Sequence, residues 1–155
     1  MHSVLLTVLA AAATVCATAK RECTEWITTK GDSSKLLIYR SYALGARNDR
    51  VTRALVFVHG INRDADNHFR TALAAAFLDG VLTDTVIVAP RFASNSLAPG
   101  NEAGQCIDHM SPDEANWFCD NQRRDTWRSG GPEVGNAGLA SFDLMDEVEE
   151  RGREG

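Results

Sequence analysis

The sequence predicts an α/β fold: a mostly parallel sheet with flanking helices and one long, disulfide-restrained loop. Three observations predict it. Two unbroken apolar runs, Ala54-Leu55-Val56-Phe57-Val58 and Val86-Ile87-Val88-Ala89, bracket a stretch of helical periodicity. Neither run alternates apolar with polar, which suits strands covered on both faces. Strand, helix and strand in that order make a βαβ unit, for which parallel pairing through a right-handed crossover follows. After it, Phe92 to Pro132 keeps no period and is rich in Gly, Asn, Asp and Ser, with Cys106 and Cys119 bracketing its polar centre. A loop of that length in a compact domain is functional or mobile.

Composition bounds the answer to a single soluble domain or part of one, since 155 residues at 44% hydrophobic and 24% charged suffice for one real core. The formal charge of -5, with arginines interleaved among aspartates, excludes a nucleic-acid partner held by clustered cations. Residues 1–19 read as a secretory signal peptide: Val4 to Ala13 is an apolar core and Ala17-Thr18-Ala19 gives the small-x-small cleavage pattern. The n-region has only the α-amino group and His2. A stable membrane anchor needs roughly 20 apolar residues, and Thr7, Thr14 and Cys16 interrupt this shorter stretch. The folded domain is therefore expected over residues 20–155 of a secreted protein.

Cleavage leaves Cys23, Cys106 and Cys119, an odd number for an oxidising compartment. Cys106 with Cys119 is the expected disulfide, and Cys23 has no evident partner. No two of these cysteines have CxxC spacing, which argues against a metal finger.

From the N-terminus of the domain, Lys35 to Tyr42 is strand-like between two turn-rich segments, and an N-terminal strand or hairpin is expected there. In the helical stretch Phe69, Leu73, Ala76 and Phe77 share one stripe, with Asp64 or Asp66 placed to cap its start and Gly80 to end it. Thr85 to Ala89 gives the second buried strand, and Pro90 stops it. Near the C-terminus Ser141 is placed to cap a helix whose apolar face is Phe142, Leu144, Met145 and Val148. Its acids, Asp143, Asp146, Glu147, Glu149 and Glu150, form the wet face. A further strand is expected after that helix, so the sheet is expected to be incomplete.

Several pieces, in order, resemble the front half of an α/β-hydrolase of the secreted esterase type. They are the strand ending in His59-Gly60, the turn Asn62-Arg63-Asp64-Ala65, Val88-Ala89-Pro90-Arg91-Phe92, Trp127 with Gly130-Gly131, and Ser141-Phe142-Asp143. The resemblance implies a partial α/β-hydrolase sheet and an oxyanion-hole donor in the loop after the His-Gly strand. Gly60 would allow close backbone approach, and Ile61 or Asn62 would supply the N–H.

The same resemblance implies a missing triad. The family order is nucleophile, acid, histidine, so His59 precedes any nucleophile and is not its base. No Gly-x-Ser-x-Gly occurs; Ser129 before Gly130-Gly131 is the nearest imitation, without a preceding apolar strand. No residue is assigned as catalytic. Other constellations have simpler readings: His59, Asp64, Asp66 and His68 as loop and capping groups in place of a metal cluster, and Cys23 as a disulfide or dangling thiol, with His109 a loop residue, in place of a thiol nucleophile and base. Arg63 and Trp127 read as loop anchors. No metal and no cofactor is implied. The expected function is the N-terminal half of a serine hydrolase, inactive alone, whose intact relative takes a small-molecule ester-like substrate. The alternative is a small non-catalytic secreted binding module on a βαβ core.

Overall fold

The structure is a computed structural model that describes residues 23–28, 33–60, 62–94, 110–117 and 126–154. The expected signal peptide, Ile61, Cys106, Cys119 and His109 lie outside the described residues. Four strands form one sheet: β1 (Thr24–Thr28), β2 (Lys35–Arg40), β3 (Arg53–Val56) and β4 (Thr85–Arg91), in the order β1-β2-β4-β3. Helix α1 (Ala65–Leu78) covers one face, and α2 (Ser141–Glu154) packs with the segments around Trp117 and Trp127 on the other.

The expectation of a mostly parallel sheet is wrong. Only β3 and β4 pair in parallel, while β1 with β2 and β2 with β4 are antiparallel. The reason lies in the connections. A parallel pair needs a crossover that returns the chain to the starting end of the sheet, and α1 supplies it between β3 and β4. The link from β2 to β3 contains no helix and joins strand ends on the same side of the sheet, so β2 must run against its neighbours. The N-terminal hairpin is present, with β1 as its outer strand.

β4 is the centre of the molecule, buried from Thr85 to Pro90. Its side chains alternate between two cores: Val86 and Val88 pack with Ile38, Phe92, Trp117, Leu144 and Val148, whereas Ile87 and Ala89 pack with Phe69, Ala72, Leu73 and Ala76 of α1. Pro90 does not stop the strand, which pairs it with Ile38. Ser41 N–H bonds the Ile87 carbonyl on the β2 side and Phe57 N–H bonds the Val88 carbonyl on the β3 side. By alternation the nitrogen of Pro90 faces the β3 side, where the ladder ends after the Phe57–Val88 bond because proline has no N–H to continue it.

β3 departs from the sequence reading in burial. It is the edge strand, exposed along its length, not a strand covered on both faces. Phe77 also leaves the predicted stripe, at 70% exposed. Gly80 ends α1 as expected, with φ +73° and the Val81 N–H bonded to the Ala76 carbonyl. Ser141 does not cap α2: its hydroxyl donates to the Trp127 carbonyl at 2.7 Å, and Asp143 accepts the Ala140 N–H at 2.7 Å instead. Phe142 lies outside the core, 56% exposed.

Candidate functional site

The carboxyl ends of β3 and β4 lie side by side because the two strands are parallel, and the turn leading into α1 starts there. His59, immediately past β3, is 2% exposed. Phe92 N–H donates to its Nε2 at 2.9 Å, so that nitrogen carries no proton. The neutral ring's proton is then on Nδ1, which lies 2.8 Å from the Gly60 carbonyl. Burial is the main cause that holds the His59 pKa below its ordinary value, offset in part by the Gly60 hydrogen bond. With both nitrogens held by backbone groups, His59 is neither base nor metal ligand. It ties the end of β3 to the end of β4.

An aromatic stack walls this tie. The His59 ring meets Trp127 edge-on at 4.9 Å and Phe92 at 6.0 Å, while Phe92 lies flat against Trp127 at 5.1 Å and edge-on to Trp117 at 5.3 Å. Trp117 is fully buried, and its indole N–H donates to the Gly131 carbonyl at 3.1 Å. The loop anchor expected at Trp127 is thus structural, and Trp117 joins it.

Arg63 N–H donates to the Gly60 carbonyl at 3.1 Å, closing a four-residue turn that carries the candidate oxyanion donors Gly60, Ile61 and Asn62. Arg63, the last residue of that turn, itself takes a left-handed φ of +53°. Asn62 is exposed, and its backbone N–H bonds no group among the described residues. A methyl group built on Gly60 meets nothing within 4 Å, so packing does not demand glycine there.

The acids expected to cap α1 are used otherwise. Asp64 sits at the N-cap, yet its side chain makes no capping bond; its backbone carbonyl takes the Asn67 and His68 N–H groups, and its carboxylate lies 3.3 Å from His68 Nδ1. Asp66 pairs with Arg70. Among the described residues no three His, Cys, Asp or Glu side chains are placed to hold a metal ion.

Ser129, the nearest imitation of a nucleophile motif, has a structural partner, as do Ser94 and Ser141. Ser94 donates to the Trp117 carbonyl at 2.7 Å, Ser129 to the Thr126 carbonyl at 3.0 Å, and Ser141 to Trp127. Cys23 is buried at 1% exposure and disulfide-bonded, so it is no free thiol nucleophile; its partner lies outside the described residues. Sequence reasoning missed this bond because the three cysteines expected in the mature chain are far apart in sequence. It also missed Glu114 and Glu133, both buried acids that fasten residues 110–117 across the strand ends. No helix among the described residues is long and apolar enough to cross a membrane. Comparison with protein-family models, with curated proteins and with solved structures finds no match to this chain.

Proposed function

We propose that this chain is the oxyanion-side portion of a secreted α/β-hydrolase-type domain, one that cleaves an ester or amide carbonyl once a nucleophile, an acid and a histidine are supplied by further polypeptide. The observation that carries this reading is the turn Gly60 to Arg63 between the third strand and the first helix, with the Asn62 N–H bonded to no group among the described residues. In α/β-hydrolases one oxyanion donor comes from the loop at that place, and the second follows the nucleophile. The donor matters because charge develops on the carbonyl oxygen at the transition state; removing one costs about 3 to 4 kcal/mol in hydrolases of this kind. His59 favours the reading further, since it holds the turn without competing for a proton.

Alone, the chain lacks the parts that generate that charge, and it is expected to be inactive on esters. The test is the coding sequence beyond Gly155. A downstream strand followed by Gly-x-Ser-x-Gly supports the reading, and a continuation without one removes it. Turnover of a p-nitrophenyl ester by this chain, abolished by a serine-directed phosphonate, would also overturn the claim that no nucleophile is present.

The second reading, a non-catalytic secreted binding module, is favoured by the open β3 edge. It predicts that residues 20–155 melt in one sharp transition with a native near-UV signal.

A further inference from the structure

Among the described residues β3 has a neighbouring strand on one side only. Along a strand, backbone N–H and C=O groups turn alternately to the two sides. Arg53 and Phe57 donate toward β4, to the carbonyls of Asp84 and Val88. Ala54, Val56 and Val58 therefore turn both of their backbone groups to the open side, where no described strand lies. Their flanks are apolar: Leu55 is 40% exposed, Val56 40%, Phe57 37% and Val58 41%. Soluble proteins blunt such an edge with charges, proline or a bulge, and Ala54 to Val58 carries none of these. Arg53, the charge adjoining this run, is held by Asp84 at 2.6 Å.

The edge continues into a groove of about 380 Å³ between the sheet and α2, floored by Ala54, Val56, Val86 and Val88 and walled by Met145 and Val148. Asp146, Glu149 and Arg153 stand on its rim. Arg153 is bound to Glu149, so Asp146 leaves this rim net acidic. A second copy joined edge to edge would bring two acidic α2 helices together in a chain already at -5. Opposite charge is the complement of this surface.

We infer that the open edge of β3 docks an extended, basic segment of another polypeptide, which adds as a fifth strand. Its backbone bonds Ala54, Val56 and Val58, its central apolar side chains enter the groove, and its flanking Lys or Arg meet the acidic wall of α2. Strand addition of this kind takes affinity from main-chain bonds and specificity from the side-chain pockets. It involves no carbonyl chemistry and stands or falls apart from the hydrolase reading.

The test uses the secreted full chain and a fluorescein-labelled peptide, Lys-Thr-Val-Ile-Val-Thr-Lys, with Glu-Thr-Val-Ile-Val-Thr-Glu as its acidic counterpart, read by fluorescence anisotropy. The basic peptide is expected to bind at least about tenfold more tightly than the acidic one. Val56→Pro deletes an open-side N–H without touching a β4 bond and should abolish binding while the circular dichroism stays unchanged. Asp146→Lys, an exposed change, should weaken the basic peptide and strengthen the acidic one, and it carries the test alone if Val56→Pro does not fold. Equal binding of both peptides, or no binding of the basic peptide up to about 1 mM, overturns the inference. So does light scattering that finds a dimer dispersed by Val56→Pro, because the edge would then belong to a second copy.

Discussion

His59 and Phe92 are joined by a 2.9 Å hydrogen bond from the Phe92 backbone N–H to imidazole Nε2, past the point where the β3–β4 ladder ends. A proton on Nε2 removes the acceptor, so the tie exists only with a neutral ring. Burial lowers the His59 pKa in the folded chain, whereas the unfolded value is the ordinary one, about 6.5. The unfolded state thus binds more protons below that value. The stabilisation is present above about pH 6.5 and fades as pH falls toward the folded pKa. His59→Gln keeps an acceptor for Phe92 but does not titrate. The stability difference between wild type and this variant, from urea midpoints, is expected to shrink as pH falls below about 6.5; a constant difference would show that His59 does not titrate on unfolding. His59→Ala, which leaves the Phe92 N–H without a partner, is expected to cost about 1 to 3 kcal/mol at neutral pH.

Two glycines should answer alanine differently. At Gly130 φ is +74°, and an added methyl would sit 2.6 Å from Cε2 of Phe142. The ring is half exposed and can swing aside, but the left-handed backbone cannot be relieved that way. Gly130→Ala is expected to cost about 1 to 2 kcal/mol, with little recovered by adding Phe142→Ala. Gly60 has open space and no positive φ, so Gly60→Ala should leave stability within about 0.5 kcal/mol of wild type. Thermal denaturation of the three variants checks both. A destabilised Gly60→Ala would mean that the glycine serves folding, and the oxyanion reading would lose one of its supports.

The βαβ unit was legible because its signals are local: a five-residue apolar run, a 3.6-residue stripe and a glycine in the left-handed region. The burial of β3 was not. An unalternating run reports apolar side chains without reporting whether anything covers them, and Ala54 to Val58 proved to be an open edge. The sheet's direction was equally hidden, since nothing in Lys35 to Tyr42 specifies that β2 runs against β4; the helix-free link to β3 does. At the site, His59-Gly60 announced a turn, but the tautomer depends on Phe92, a partner 33 positions away. Ser141 shows the limit of capping rules, because the long-range Trp127 carbonyl takes the hydroxyl that sequence assigned to the helix.

The bond at Cys23 bears on the cysteines outside the described residues. In a chain cleaved after Ala19, Cys23 has only Cys106 or Cys119 as an intramolecular partner, and either choice excludes a Cys106–Cys119 pair. Non-reducing peptide mapping of the chain cleaved after Ala19 is expected to recover Cys23 linked to one of the two. Reduction should lower stability by about 2 to 4 kcal/mol, because a link closing so long a loop constrains the unfolded chain. Recovery of Cys23 as a free thiol, with Cys106 and Cys119 joined, would reverse this expectation and restore the pairing suggested by their spacing.

Glu133 gives the sharpest test of how the segment around Trp117 is held. It is 6% exposed, and its Oε1 accepts both the Asn116 backbone N–H at 3.2 Å and the Asn116 side-chain N–H at 3.0 Å. Val134 N–H returns a bond to the Asn116 carbonyl at 2.9 Å, so the two segments grip each other through one asparagine. Glu133→Ala leaves two Asn116 donors without acceptors and opens a gap beside Gly135, for an expected loss of about 1 to 3 kcal/mol. Glu133→Gln keeps one oxygen where Oε1 stands and loses only the charge assistance, so its cost should be smaller, about 1 kcal/mol. The readout is urea denaturation followed by indole fluorescence, since Trp117 is the residue next to Asn116 and packs edge-on against Phe92. Equal losses in the two variants would show that the negative charge, not the acceptor geometry, fastens this segment across the strand ends.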